Sequence, residues 1–547
     1  MRSSWGSWLA LLGAMAGAPC AGATEVKNVA IIGAGAAGSS AAYHLAKYAE
    51  QEGLTINITI FEKTNHIGGR SLTVPAFDDA SQPIELGASI FVTVNHILYN
   101  ATQELGIPIG EPYDSEAGDI TAIWDGKKII FETAEGSSWW WDVAKMFWKY
   151  GLAPYKAVNL VKSVVGKFLQ LYEEPHFPFK SLTEKAFDLG LLDITGVTGE
   201  QFLAQNNIDS RFGREILQAA TRVNYASNLA YIHGLETMVS FATDGAVAVK
   251  GGNWNIFDKF VRHSQASIYL NTTVASIKEA QKRTETPTYI ISTKQASAES
   301  STPEEYAVAF DNVIIASPWQ FSNIDAGEGV LQHEIDEIPY TKLHVTLFSS
   351  PLKLNPKFFG LGIGRKAPSN VYTTLAEDEE PKQGADGVGG PGFYSVSTLR
   401  QVVNPRTGKR EYAYKIFSAE PVTPKFLSEL FAAEVPDNFI GAQQAEEDTD
   451  AAKAGPISWY YPWSVYSYPV ELPRVTFQDP IVGNGVYYTS GIESFISTME
   501  TSALMGKNVA RLIADDFGSI SRKGIEDGVP AESVHKVVGD KKQPDEL

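Results

Sequence analysis

Apolar residues near the start of the chain gather in short runs bounded by glycine-rich turns, the pattern of strands buried in a sheet. Residues 29–32 form one such run and residues 56–61 a second, and residues 39–50 between them predict a helix. Strands are also predicted over 268–274, 288–292 and 306–310, and residues 486–493 read as a strand entering a glycine turn before a helix over 498–517. A different spacing governs residues 139–150 and 155–169. There Lys145, Lys149, Lys156 and Lys162 interleave with apolar and aromatic residues at helical intervals, which predicts two amphipathic helices. The Ser-, Glu- and Pro-rich residues 294–305 and the acidic, then glycine-rich, residues 376–392 read as exposed loops. No fixed-period repeat is visible, which argues against solenoids and propellers.

The first strand opens a fingerprint in which each residue type has a mechanical job. Gly33 allows a tight turn, Gly35 lets the backbone approach a pyrophosphate, and Gly38 lets the following helix pack on the sheet; Ala34 and Ala37 belong to the same loop. The helix aims its N-terminal N–H groups at the phosphates. Glu62, at the end of the second strand, is the carboxylate for the adenosine ribose hydroxyls. Strand, glycine loop, helix, strand and acid fall in the order a dinucleotide site requires.

The residues after Glu62 decide which dinucleotide. Lys63 leads into a Gly68-Gly69-Arg70 turn that resembles the flavoproteins of the amine oxidase and GDP-dissociation-inhibitor superfamily. That resemblance implies that this loop runs along the pyrophosphate toward a flavin. It further implies that Gly87, Ala88 and Ser89, after Glu85, form the turn beside the isoalloxazine, that Val274 packs by the adenine, and that residues 311–318 are the strand closing the nucleotide sheet. Gly491, Ile492 and Glu493 then precede a second helix N-terminus, which suits the ribityl chain and phosphate; an ordinary strand-to-helix turn is the other reading of Gly491. The cofactor expected is FAD. The fold expected is α/β, with a Rossmann-like FAD-binding domain discontinuous over 24–130, 251–338 and 459–520. A mixed α+β substrate-binding domain would be inserted as 131–250 and 339–458, with 521–547 as a tail.

Composition changes this picture in a few places. A net charge of −19 argues against a nucleic-acid partner. Residues 1–23 have the form of a signal peptide, with Arg2, an apolar stretch over 8–18 and a small-residue cleavage site at 21–23. The only cysteine, Cys20, would leave with it, so no thiolate nucleophile or disulfide is expected in the mature chain. The location implied is the secretory pathway: the ER lumen, the vacuole or lysosome, or the exterior. The Asp-Glu-Leu ending matches an ER-retrieval signal at three positions only. Sequons occur at Asn57, Asn100 and Asn271; Asn57 lies in a predicted strand, leaving Asn100 and Asn271 as glycan acceptors. The histidines lack ligand spacing, so no metal is expected.

The motifs Thr221-Arg-Val-Asn-Tyr225, Lys250-Gly-Gly-Asn253, Leu343-His-Val-Thr346, Thr489-Ser-Gly-Ile-Glu-Ser494, Thr498-Met-Glu-Thr-Ser502 and Gly506-Lys-Asn-Val-Ala510 resemble the prenylcysteine oxidase (prenylcysteine lyase) family over nearly the whole mature chain. The resemblance implies oxidation of farnesyl- or geranylgeranyl-cysteine at the thioether carbon, yielding cysteine, a prenyl aldehyde and peroxide from dioxygen and water, in the breakdown of prenylated proteins. A flavin can carry such a reaction without a catalytic side-chain motif, and no general base is assigned. Arg222 or Tyr225 could hold the amino-acid head group, or could be a structural ion pair and a packed ring. Phe147 and Trp148 could line an apolar entrance or a lipid-facing surface, or belong to the domain core. A related flavin oxidase of an apolar secondary metabolite, and a non-catalytic prenyl-binding module, are the alternatives.

Overall fold

The computed structural model describes residues 26–111, 118–136, 139–280, 287–295, 302–439 and 455–526. The segment over 1–23 expected to be a signal peptide, half of the loop expected over 294–305 and residues 527–547 lie outside the described residues.

The apolar runs become a six-stranded sheet in the order Ser267–Tyr269, Thr55–Phe61, Val26–Ile32, Asn312–Ile315, Val486–Tyr488 and Ile481–Gly483, parallel except at the last pair. Strand alternation sends Val29, Ile31, Ile58 and Ile60 to one face, where helices cover them, and Ala30, Ile32, Phe61, Val313 and Ile315 to the other. The second face is covered by the four-stranded sheet Glu304–Glu305, Tyr289–Gln295, Thr272–Glu279 and Asp325–Ala326. On the first, helix Ala36–Glu52 lies along helix Met499–Glu526 so closely that a Cβ on Gly506 would stand 2.1 Å from the Ala37 carbonyl oxygen. The nucleotide domain is thus built from segments hundreds of residues apart, as the fold class requires.

The second domain rests on a seven-stranded sheet: Trp459–Pro469, Tyr340–Ser350, Arg410–Ser418, Ser395–Val403, Asn370–Thr373, Ile120–Trp124 and Ile129–Ala134. Two of its strands correct the expected boundaries. Strands Ile120–Trp124 and Trp459–Pro469 fall in segments assigned to the FAD-binding domain, yet both pair within this sheet. Two strands also differ. The run over 268–274 is split by Asn271, whose φ of 54° turns the chain between Ser267–Tyr269 and Thr272–Glu279. Over 306–310 no strand forms: the Phe310–Tyr289 bridge and the Tyr306 N–H bond to the Ile291 carbonyl are present, while the strand pairing with Tyr289–Gln295 on that side is the earlier Glu304–Glu305. The two amphipathic helices are present as Trp139–Tyr150 and Ala153–Phe168.

Candidate active site

Strand Val26–Ile32 delivers the chain into Gly33, whose φ of 107° no side chain adopts readily and whose Cβ would meet the Ala316 carbonyl oxygen at 2.8 Å. The Ala34 N–H then donates to Glu62 Oε2 at 2.8 Å, while the N–H and hydroxyl of Thr64 both donate to Oε1 at 2.8 Å. Glu62 is thereby buried against the glycine loop. A Cβ on Gly38 would stand 2.0 Å from the Gly33 carbonyl oxygen, so this glycine serves helix-on-strand contact. Gly35 is different: a Cβ there meets only the Cα of Gly69, at 3.9 Å. The Gly68 N–H, bonded to the Ala34 carbonyl at 2.9 Å, holds the second glycine turn over the first. Gly35 caps helix Ala36–Glu52 without any side-chain hydrogen bond, which leaves the helix N-terminus to an outside anion. Lys63 is exposed just beyond Glu62, and Val274 is buried with Phe61 and Tyr289 beneath the sheet edge.

Arg70 ties this cradle to the C-terminal turn. Its guanidinium bonds Glu493 Oε2 at 2.7 Å and the Ser467 carbonyl at 2.6 Å, and the Tyr340 hydroxyl donates to the same Glu493 oxygen at 3.0 Å. Gly491 and Ile492 are buried in that turn. Gly491 reads as a structural glycine here, since a Cβ on it would meet Gln478 Cβ and carbonyl oxygen at 2.8 Å. The next helix begins at Met499, beyond the short 3-10 turn Ser490–Ser494.

The turn at Gly87, Ala88 and Ser89 is held from two sides. The Asn253 N–H donates to Glu85 Oε1 at 2.6 Å and its side chain to the Ala88 carbonyl at 2.7 Å, so the Lys250–Asn253 motif braces it. From the seven-stranded sheet, Lys415 Nζ donates to Ser89 Oγ at 2.7 Å and to the Glu85 carbonyl at 3.2 Å. Lys415 is buried, and burial lowers its pKa to about 8 despite the Glu85 charge; burial raises Glu85 to about 7 against the pull of the Asn253 N–H and Lys415. Glu85 Oε2 and Ser71 Oγ are buried with no hydrogen-bond partner among the described residues. Orphaned oxygens beside an open glycine cradle fit a bound flavin dinucleotide, whose hydroxyl and ring N–H groups would satisfy them.

Lys415 was not legible in the sequence, where a lysine within an aromatic strand reads as an outward residue. Strand register shows its face: Lys415 lies opposite Leu347, which pairs with Tyr461, while the neighbouring Phe417 lies opposite Val345, which pairs with Trp463. One buried cation therefore stands on a largely apolar sheet face, aimed at the Ser89 turn.

Arg222 does not meet this site. It is fully buried, and its guanidinium is consumed by the Thr373 carbonyl at 3.0 Å, Asn228 Oδ1 at 2.9 Å, and the Gly387 and Val388 carbonyls, each at 2.7 Å. It pins the middle of the 376–392 loop, and no N–H group is left for a substrate carboxylate. Tyr225 is also buried, edge-on to Tyr468, and borders a small cavity with Asn228, Tyr231 and Glu471. Behind it lies a polar cluster that sequence reasoning missed. His233 Nε2 stands 3.4 Å from Glu471 Oε2; burial pushes Glu471 well above the carboxylate range, and burial together with the Glu471 charge raises Glu236 to about 8. Phe147 and Trp148 are 61% and 93% exposed, so they belong neither to the core nor to an enclosed tunnel. Among the described residues no group of three or more His, Cys, Asp or Glu side chains is placed to hold a metal ion.

Residues 133–527 match the family model for prenylcysteine lyase, and residues 31–105 match an NAD(P)-binding Rossmann-like domain. The chain belongs to the prenylcysteine lyase family. It is 28% identical over 506 residues to farnesylcysteine lyase of Arabidopsis thaliana, covering 90% of this chain and 88% of that protein. It is 27% identical over 506 residues to prenylcysteine oxidase 1 of Bos taurus, covering 89% and 88%. Among solved structures, cyclohexylamine oxidase from Brevibacterium oxydans IH-35A shares the fold at a TM-score of 0.51 and 14% identity, over 90% of this chain and 99% of that one. Putrescine oxidase bound to putrescine shares it at 0.51 and 15%, with the same coverage. This member of the prenylcysteine lyase family is an oxidoreductase whose cofactor is FAD.

Proposed function

We propose that the chain is a thioether oxidase that converts S-prenyl-L-cysteine, dioxygen and water to cysteine, a prenyl aldehyde and hydrogen peroxide. The observation that carries this reading is the family match over 133–527, joined to a flavin cradle that adjoins a largely apolar sheet face. Bound FAD supplies a two-electron acceptor that dioxygen regenerates. The chain's own residues position and exclude. Half-buried Phe417, Tyr461 and Trp463, packed on the core that includes Val345, would offer the prenyl chain a largely apolar surface. Lys415, with its pKa lowered to about 8, would hold or yield a proton at Nζ beside Ser89. Arg222 has no role in head-group binding. Tyr225 is likewise a buried, packed ring with its hydroxyl engaged by Glu236, so neither residue is assigned the head group. The leader-like N-terminus supports a place in the secretory pathway, and Asn100 and Asn271, both exposed, would accept glycans there.

Incubating the purified flavoprotein with S-farnesyl- and S-geranylgeranyl-cysteine, and with terpenoid and polyketide alcohols, tests the substrate class. Farnesal or geranylgeranial with equimolar cysteine and peroxide is the expected result. Turnover of the alcohols alone would replace the reading with that of a related oxidase.

A further inference from the structure

The hairpin of helices Trp139–Tyr150 and Ala153–Phe168 carries a surface that neither the fold nor the flavin site uses. Its inner side is satisfied: Ala153, Ala157, Val161, Val164 and Phe168 are buried at helical spacing, and helix Ala153–Phe168 packs on Gly234–Phe241, the helix that bears Glu236. Its outer side should then be polar. It is not. Phe147, Trp148, Leu152 and Tyr155 are 61%, 93%, 60% and 69% exposed around the joint between the helices, with Val143 and Val158 beside them. Large apolar side chains gathered at one place on a surface mark a binding face, whereas scattered ones do not.

Charge identifies the occupant. Between Trp139 and Leu169 the chain has Lys145, Lys149, Lys156, Lys162 and Lys167 against the single acid Asp142, although its net charge is −19. Lys149 is paired with Glu215 at 2.8 Å. Lys156 and Lys167 bond backbone carbonyls, of Asn207 and Gly190, and so keep their charge uncompensated by those contacts. A second copy of this chain docked on the same face by twofold symmetry would set these lysines against their own equivalents. An anionic phospholipid surface complements them, and Trp and Tyr favour the headgroup level of a bilayer. Among the described residues no helix is long and apolar enough to cross a membrane, so contact would be with one leaflet.

We propose that this hairpin docks the protein on an anionic bilayer surface, with Phe147, Trp148, Leu152 and Tyr155 entering the interface and the lysines meeting the phosphates. The proposal stands apart from the substrate assignment, since it concerns binding to lipid rather than turnover. The full-length flavoprotein is to be co-sedimented with phosphatidylcholine vesicles and with vesicles of roughly one part phosphatidylserine to two of phosphatidylcholine. The wild type should partition at least tenfold more strongly onto the mixed vesicles, and added salt should weaken that binding. A Trp148→Ser, Leu152→Ser, Tyr155→Ser variant and a Lys156→Glu, Lys162→Glu variant should each lose it, while melting temperature and flavin absorbance stay at wild-type values. Absence of wild-type binding to the mixed vesicles, or equal binding by the variants, would overturn the proposal. So would a wild-type dimer that Trp148→Ser converts to a monomer, because a second copy would then cover the face.

Discussion

Two glycines three residues apart do different work. Gly35 sits in extended backbone, φ −76° and ψ −169°, and a Cβ there meets only Gly69 Cα at 3.9 Å, so Gly35→Val should change folding stability by less than about 1 kcal/mol. Its side chain would occupy the space left for the pyrophosphate, and the purified variant should be folded but nearly colourless. Gly38→Ala places its methyl 2.0 Å from a backbone carbonyl and should lose stability first, by about 3 kcal/mol or more. Thermal melts and visible absorbance on the two variants separate the roles; a yellow Gly35→Val protein would contradict the cradle.

At Lys415 and Glu85 the prediction concerns pH. Glu85 is raised to about 7, so the fold favours its protonated form; its contribution to stability is complete below the ordinary carboxylate range and is lost as pH rises through about 7. Lys415 is lowered to about 8, so its contribution is complete above the ordinary lysine range and is lost as pH falls through about 8. Glu85→Gln should therefore flatten the decline in melting temperature between about pH 5 and 7. If the neutral amine is the working form, kcat/KM should rise with pH through about 8, and Lys415→Met should abolish that limb while keeping the flavin spectrum. An unaltered profile in Lys415→Met would leave it a positioning residue for the Ser89 turn. The glycines and Glu62 were legible in the sequence because their spacing is local. Lys415, His233 and Glu471 were not, because only strand register and tertiary burial set their surroundings. The two roles left open for Arg222 could not be told apart for the same reason, its backbone carbonyl partners lying 151 to 166 residues away.

Among elements, the contact between helices Ala36–Glu52 and Met499–Glu526 bears most on the site. The first helix presents the pyrophosphate end, and the second can lie against it only because position 506 is glycine. Gly506→Val would drive a side chain into the Ala37 carbonyl and displace the glycine loop. It should lower the melting temperature by an amount matching about 3 kcal/mol or more, and flavin content should fall with it. Wild-type flavin affinity with a lowered melting temperature would show that the loop is held by other contacts. Helices and strands with strong periodicity were legible, including the tryptophan-rich pair. Strands Ile120–Trp124 and Trp459–Pro469 were given to the wrong domain, since pairing across more than a hundred residues leaves no mark in local pattern.

At the scale of the molecule, separated segments converge on one line: the glycine loop, the Gly68–Arg70 turn, the Glu85–Ser89 turn and the Ser490–Ser494 turn, bound together by Arg70, Glu493, Asn253 and Lys415. The chain belongs to the prenylcysteine lyase family, and the proposed thioether oxidation would place the prenyl chain against the half-buried aromatic residues of the seven-stranded sheet. Burial of each methylene is worth about 0.8 kcal/mol, so affinity should fall steeply as the prenyl chain is shortened. The most direct test is an anaerobic titration of the purified flavoprotein with S-farnesyl-L-cysteine, followed by its visible absorbance. Bleaching at one equivalent is expected, with recovery of the oxidised spectrum on admitting air and with farnesal and cysteine in the mixture. A spectrum unchanged by every prenylcysteine, in a protein bleached by dithionite, would contradict the thioether-oxidase assignment.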